Sequence, residues 1–337
     1  MRVNGKIVTI GLCPSWDTVC RFEGIDWGEH KTVSSASSRP AGKALNISQA
    51  LAWMGEENIA AGLWGRDDFE QMLKAMRTLK KFVKVKMTAV DGGTRRNITV
   101  VDTVNDREMH LRNRSELASR KALRKLEVDL RTIVHKGSVC VFAGAMPEDS
   151  ARRLVDAKCF AEAGSSAGAG EFVGDVVRII KSCRERGAKI VVDTYGDALK
   201  RILETGAAWL IKPNVEELRE LLGEQVRDSP AGLVKAGRKL LDKAEIVVIS
   251  RGRKGGVVVT KKGVWQGRCI GRGRVLSTVG CGDFLLAGFL KGLKDKSDAG
   301  SALGTAIKVA TARAWGWTEG KSWSRALREI KVAVERV

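Results

Sequence analysis

Histidine is nearly missing from this chain: His30, His110 and His135 are the three among 337 residues. A histidine-centred triad or a histidine metal site has too little material to be built from. The seven cysteines are odd in number and scattered, with no Cys-x-x-Cys pair. That argues against a disulfide framework and a zinc cluster, and it fits a reducing cytoplasm. No apolar run approaches the ~20 residues that span a bilayer. Met1–Lys6 lead straight into Ile7-Val8-Thr9-Ile10, which has the length of a strand and is too short for the centre of a signal peptide. The expectation is a cytoplasmic protein without membrane contact, whose chemistry runs on carboxylates, lysines and backbone amides.

What the chain has in excess is positive charge. The 59 Lys and Arg against 39 Asp and Glu leave a formal net charge of +20. Nucleic-acid binding, attraction of anionic substrates and a plain solvated surface all produce such a balance. The clusters Lys80-Lys81, Lys84-Val85-Lys86 and Arg251-Gly252-Arg253-Lys254 are short and spread through strand and helix patterns. No RNA-binding aromatic signature accompanies them. Anionic small molecules suit the charge better, and no nucleic-acid partner is expected.

Buried strand patterns recur at Ile7–Leu12, Ile59–Gly65, Ser138–Ala143, Lys189–Asp193, Trp209–Ile211 and Glu245–Ser250. Helical spacings fall between them, so the periodicity predicts a mostly parallel sheet covered on both faces. Arg39–Asn46 is read as opening a helix that continues to Gly55. Val257–Thr260 and Gly263–Trp265 read as a hairpin, and 302–314 as a last helical region. Alternating segments at 13–38 and 83–113, with Asp91-Gly92-Gly93 as a turn, predict a small β lid beside one domain spanning 1–337. The glycine- and serine-rich stretch at 161–174 reads as a flexible surface insertion.

One loop stands out chemically. Ser277-Thr278-Val279-Gly280-Cys281-Gly282-Asp283 runs directly into the apolar segment Phe284–Leu290. Glycines allow close backbone approach and positive φ, and a helix starting there aims open amides and its positive end at one point. Phosphate binds readily at such a place. Asp283 then either caps the helix or takes a proton from an attacking hydroxyl. Elsewhere, Lys43 and Asn46 share a face near a helix start. Asn214 and Glu217, three apart, form either an N-cap box or a seat for hydrated magnesium.

These stretches, in this order and covering nearly the whole chain, resemble the PfkB (ribokinase-like) carbohydrate kinases. The closest resemblance is to their hexose-phosphate branch of phosphofructokinases and tagatose-6-phosphate kinases. Ser277–Asp283 is similar to the late family signature, with Cys281 where alanine is usual. Arg39–Asn46 is similar to the early Gly-Gly-Lys-Gly-x-Asn signature, with Ala41 and Ala44 replacing two glycines. Lys212-Pro213-Asn214-x-x-Glu217 matches the Asn-x-x-Glu motif. Asp193-Thr194-Tyr195-Gly196-Asp197-Ala198-Leu199 resembles Asp-Thr-Ser-Gly-Glu-Ala-Leu.

The resemblance implies a three-layer α/β/α fold with a lid, and ATP with Mg2+ as the donor. It implies Asp283 as general base and the amides of Gly280, Cys281 and Gly282 as an anion hole. Lys212, Asn214, Glu217, Ser250, Gly252, Gly255 and Thr278 would hold the nucleotide, with magnesium bound through water at Asn214 and Glu217. Asp17, Gly42, Lys43 and Asn46 would bind the sugar and Arg95 its phosphate. A homodimer through the lid is also implied. Gly144-Ala145-Met146-Pro147 stands where this branch usually has Gly-Ser-Leu-Pro, so a hydroxyl on the acceptor side is missing. A kinase of an unphosphorylated sugar or a nucleoside, and a non-catalytic nucleotide, sugar or nucleic-acid binder, are the rival readings.

Overall fold

A computed structural model describes residues 3–147, 170–296 and 298–337. Strand β1 (Ile7–Gly11) is apolar on both faces and buried, and the chain leaves its C-terminal end at Pro14 to enter β2 (Ser15–Phe22) and β3 (Ser35–Ala41). Helix α1 (Lys43–Trp53) follows, then β4 (Asn58–Gly65), α2 (Phe69–Met76) and β5 (Val83–Val90). Next come β6 (Arg96–Asp102), β7 (Arg107–Leu111), α3 (Arg120–Arg131) and β8 (Val139–Ala143). The second half holds α4 (Gly170–Glu185), β9 (Lys189–Asp193), α5 (Gly196–Glu204) and β10 (Ala208–Ile211). It continues through α6 (Val215–Leu222), α7 (Pro230–Arg238), β11 (Ile246–Ser250), β12 (Gly256–Thr260) and β13 (Gly263–Cys269). Helices α8 (Cys281–Lys296), α9 (Ala299–Ala314) and α10 (Trp323–Glu329) precede the last strand, β14 (Val332–Arg336).

Ten strands form one sheet in the order β14-β13-β12-β11-β10-β9-β8-β1-β4-β5. From β11 to β5 all pairings are parallel, and β12, β13 and β14 add antiparallel strands at one side. One face packs against α3, α4, α5, α6 and α7 through side chains such as Leu126, Ile179, Ile202, Leu218 and Leu233. The other packs against α1, α8 and α9 through Ile47, Leu51, Leu286, Leu290 and Leu303. Helices on both sides explain why the central strands carry no polar face. Among the described residues, no helix is long and apolar enough to cross a membrane.

The second sheet, ordered β3-β2-β6-β7, stands beyond the C-terminal end of β1. Its base is held by Trp16, which meets Trp64 edge-on at 5.8 Å and donates its indole N–H to Asp68. The lid therefore has a narrower sequence span than the alternation at 83–113 suggests. Residues 83–90 pair in parallel with β4 as the edge of the main sheet, so Asp91–Gly93 link two sheets and do not turn a hairpin. Charged residues alternating along an edge strand mimic a lid strand, because an edge is half solvated in either place.

Three further boundaries differ from expectation. Residues 35–41 are strand, and α1 starts only at Lys43, because Gly42 takes φ 111°, which no helix accommodates. Of the stretch expected to be a flexible insertion, 170–174 already belong to α4, with Phe172 and Val173 buried in the core; 161–169 lie outside the described residues. Helix α10 and strand β14, unanticipated, close the C-terminal side, where Trp53 and Trp323 meet edge-on at 5.5 Å.

Helices α8 and α9 touch through glycine. A Cβ on Gly288 would stand 2.8 Å from the Ala306 Cα and 2.9 Å from the Val309 Cβ. Gly288→Ala is expected to destabilise by about 1–3 kcal/mol through overpacking. Gly174→Ala on α4, where an added Cβ meets nothing within 4 Å, is expected to be neutral or stabilising by up to about 1 kcal/mol. Urea unfolding of the two variants side by side checks this.

Candidate active site

The loop after Ser277 turns into α8 at Gly280, whose φ of 79° suits glycine and disfavours any side chain. The first i→i−4 bond of the helix runs from the Phe284 N–H to the Gly280 carbonyl at 3.0 Å. The amides of Gly282 and Asp283, in the first turn, have no carbonyl within the helix to reach. The Cys281 amide differs from expectation: it donates back to the Thr278 carbonyl at 3.3 Å. Two of the first-turn amides thus face outward and one is turned into its own loop. Arg313 of α9 secures the loop, donating from Nε to the Val279 carbonyl at 3.2 Å and from Nη1 to Glu319 at 2.9 Å.

Asp283 is buried at 5% exposure and accepts a 2.8 Å hydrogen bond from Asn46 Nδ2. Its carboxyl is pushed up to about 6, first by burial and then by the neighbouring Asp193 carboxylate; Lys43, Asn46 and Lys212 pull the other way without cancelling this. Asp193 sits at the C-terminal end of β9, fully buried. Both Lys43 Nζ and Lys212 Nζ lie 3.2 Å from its Oδ1. Burial alone would raise the Asp193 carboxyl, but Lys212 and Lys43 hold it below the usual carboxylate range. Burial likewise works against the Lys43 ammonium, yet Asp193, Asp283 and Glu217 raise it above the ordinary lysine value. Two buried atoms of this cluster have no hydrogen-bond partner: Asp193 Oδ2 and Asn46 Oδ1.

On one side of this cluster, Lys212 leaves β10 and Asn214 caps α6. The Asn214 side chain accepts from the Glu217 amide, and the Glu217 carboxylate accepts from the Asn214 amide, both at 2.9 Å. This is the N-cap box that the spacing allowed. Ser250 at the end of β11 lies beside it, its amide donating to the Pro213 carbonyl at 3.0 Å. Among the described residues no group of three or more His, Cys, Asp or Glu side chains could cage a metal. A cation here would have to keep its waters and be held through them, which is the habit of magnesium; the oxygen-rich pair at Asn214 and Glu217 fits that mode.

On the other side, Asp17 of β2 accepts from Ser15 Oγ at 2.8 Å and from Asn97 Nδ2 at 3.0 Å. Arg95 is largely occupied: its guanidinium donates to the carbonyls of Pro14, Cys13 and Asn113 at 3.1, 2.9 and 2.9 Å. It ties the start of the lid to its far end and keeps part of its donor set for the cavity. Ala41 and Ala44 are buried beneath the same side.

All sixteen residues singled out from the sequence line one cavity of about 1050 Å³ between the lid and the C-terminal ends of the parallel strands. That is where open α/β sheets bind ligands. Arg112, Arg253 and Arg272 join Lys43, Arg95 and Lys212 on its walls, so the cavity is built for anions. Sequence reasoning gave no role of their own to Asp193, Arg313 and Asn97. Asp193 had a readable signal, being a carboxylate at the end of a buried strand. Arg313 had none, because it reaches the loop from another helix.

Residues 4–315 match the family described as pfkB family carbohydrate kinase. The chain is 28% identical over 292 residues to the 1-phosphofructokinase of Haemophilus influenzae, covering 86% of this chain and 84% of that protein. It is 24% identical to a tagatose-6-phosphate kinase of Staphylococcus epidermidis, with 85% of each covered. Among solved structures, Escherichia coli phosphofructokinase-2 in complex with fructose-6-phosphate superposes with a TM-score of 0.82 at 20% identity, covering 97% and 98% of the two chains.

Asp283 carries a stability signature. Its folded pKa of about 6 lies above the ordinary aspartate value of 3.8, so folding takes up a proton between those values. The burden on the fold is complete above pH 6 and is relieved as pH falls toward 4. Asp283→Asn is therefore expected to raise stability at pH 7 by about 1–3 kcal/mol, with the gain shrinking between pH 6 and 4. Thermal melting of both proteins across that range tests it.

Proposed function

The chain belongs to the pfkB family of carbohydrate kinases, and we propose from that premise that it transfers the γ-phosphoryl group of ATP to a primary hydroxyl of a hexose phosphate. Fructose 1-phosphate and fructose 6-phosphate are the leading acceptors. The observation that carries the reading is the position of Asp283: a buried carboxylate at the mouth of a helix, in a cationic cavity with a capping-box wall on one side and a hydroxyl-binding wall on the other.

In this reading ATP lies along Lys212, Ser250, Gly252, Gly255 and Thr278, and the sugar hydroxyls along Asp17, Gly42, Lys43 and Asn46. Asn214 and Glu217 would hold magnesium through water, and the ion would supply charge neutralisation on the phosphates. Asp283 accepts the proton of the acceptor hydroxyl as its oxygen bonds to the γ-phosphorus and the bond from that phosphorus to the bridging oxygen of ADP breaks. Above pH 6 Asp283 is ionised and able to do so. The amides of Gly282 and Asp283 meet the charge on the transferring oxygens, joined by Gly280, and by Cys281 once its amide releases the Thr278 carbonyl. Such chemistry needs positioning and charge stabilisation more than covalent catalysis.

A second reading, phosphorylation of a free sugar or a nucleoside, is favoured by one arrangement. Arg95 gives three donors to backbone carbonyls, and Ala145 offers no hydroxyl, so a substrate phosphate has fewer ready partners than in the hexose-phosphate branch. The proposal further takes the protein as a cytoplasmic homodimer joined through the lid, whose strand β7 exposes Met109. Salt-sensitive DNA binding with no ADP formation would instead assign the net charge of +20 to nucleic acid.

A coupled ADP-release screen over phosphorylated and free sugars decides between the acceptors, and chelation of magnesium is expected to stop turnover. Asp283→Asn is expected to lower kcat by roughly 10²–10⁴-fold while ATP binding persists. Near-parental turnover in that variant removes Asp283 from the role of base.

A further inference from the structure

The Asp193 carboxylate has no part in the chemistry described above, yet it is a fully enclosed charge behind Lys43 and Lys212 of the cavity wall. It is 0% exposed, and both lysines reach the same oxygen, Oδ1, at 3.2 Å. The lysines come from opposite walls. Lys43 begins α1 on the acceptor side, and Lys212 follows β10 on the donor side with only 4% of its side chain exposed. We infer that Asp193 is a positioning residue that ties the acceptor and donor halves of the site together, holding Lys43 and Lys212 at one fixed point beside Asp283.

Three features support this. A buried lysine left without its carboxylate is strongly unfavourable, so the Lys212 ammonium is held while Asp193 is in place, and the half-buried Lys43 is drawn to the same oxygen. The second carboxylate oxygen, Oδ2, is buried without a partner, so the residue is less completely bonded than a purely structural ion pair requires. Finally, Asp193 governs the charge around the proposed base. The groups acting on Asp283 are Asp193 from β9, Lys43 and Asn46 from α1, and Lys212 after β10. Arg39 from β3 is close enough to interact with Asp283, and Arg313 from α9 stands against Cys281 beside it. Of these, Asp193 alone is negative. It draws the lysines toward itself and keeps Asp283 from becoming a tightly paired, weakly basic carboxylate.

This inference rests on the kinase reading, and the experiment separates the two. ADP release by the parent protein tests that reading. Asp193→Asn keeps the shape of the side chain and removes its charge. Turnover is expected to fall roughly 10–100-fold, and KM to rise for ATP and for the acceptor alike. The acid limb of the kcat profile, expected near pH 6, is to move to lower pH, because the pull of the lysines on Asp283 is no longer opposed. Lys43→Met, which removes one positive neighbour, is to move the same limb to higher pH. A purely structural Asp193 predicts a lowered melting temperature with both KM values and the limb unchanged, and that result overturns the inference. So does a shift of both variants in the same direction. If Asp193→Asn does not fold, Asp193→Glu, which keeps the charge and displaces it from the two lysines, is measured in its place: raised KM values for ATP and the acceptor uphold the inference, and unchanged values for both overturn it. If the parent releases no ADP, ATP titration calorimetry replaces turnover: roughly tenfold weaker binding in Asp193→Asn upholds the tie to the donor side, and equal binding overturns it.

Discussion

Two carboxylates and two lysines share one buried corner of this protein, and the site is arranged around the way they divide their charge. Asp193 takes both ammonium groups on one oxygen; Asp283, next to it, is left with the amide of Asn46. Isolated buried charges are very unfavourable, and a pair survives only with good geometry. The corner therefore has little freedom to rearrange. An asymmetric division pushes the two carboxyls apart: Asp193 falls below the usual range and Asp283 rises to about 6. Separation of that kind leaves one carboxyl a permanent anion and lets the other exchange a proton near pH 6.

The fold makes the corner possible by ending its parallel strands in one place. Strand β9 stops at Asp193, β10 leads into Lys212 and β11 ends at Ser250. Helix α8 begins where they converge, with the positive φ of Gly280 turning its open amides into the cavity. The lid closes the other wall, and Arg95 bonds across it from β1's exit to Asn113. Arginine does this well because its planar fork serves several carbonyls at once. The same bonds reduce what Arg95 has left for a ligand, which makes acceptor choice the least constrained property of the site.

Local pattern and tertiary context contributed differently to what could be read in advance. The central strands were legible because a strand covered on both faces must be apolar along its buried length, as in Val139–Ala143 and in Ile246–Ser250 up to its last residue. The Asn214–Glu217 cap was legible because its two bonds lie within four residues. Strand β5 was assigned to the wrong sheet, since Val83–Val90 alternates in the same way at the edge of either one. Strand β14 was missed because Val332–Arg336 has meaning only beside β13, some sixty residues earlier in the chain.

By itself, the sequence determined the α/β class, the order of the central strands, the glycine turn ahead of Asp283 and the residue types offered to a ligand, because each of these is carried by neighbours in the chain. Only the tertiary structure decided that Lys43 and Lys212 meet on Asp193, 150 and 19 residues away, that Arg313 grips the Gly280 loop, and that the Cys281 amide turns back on Thr278. Those facts depend on distances between segments far apart in the chain, and the burial that raises the Asp283 carboxyl exists only once the segments have packed.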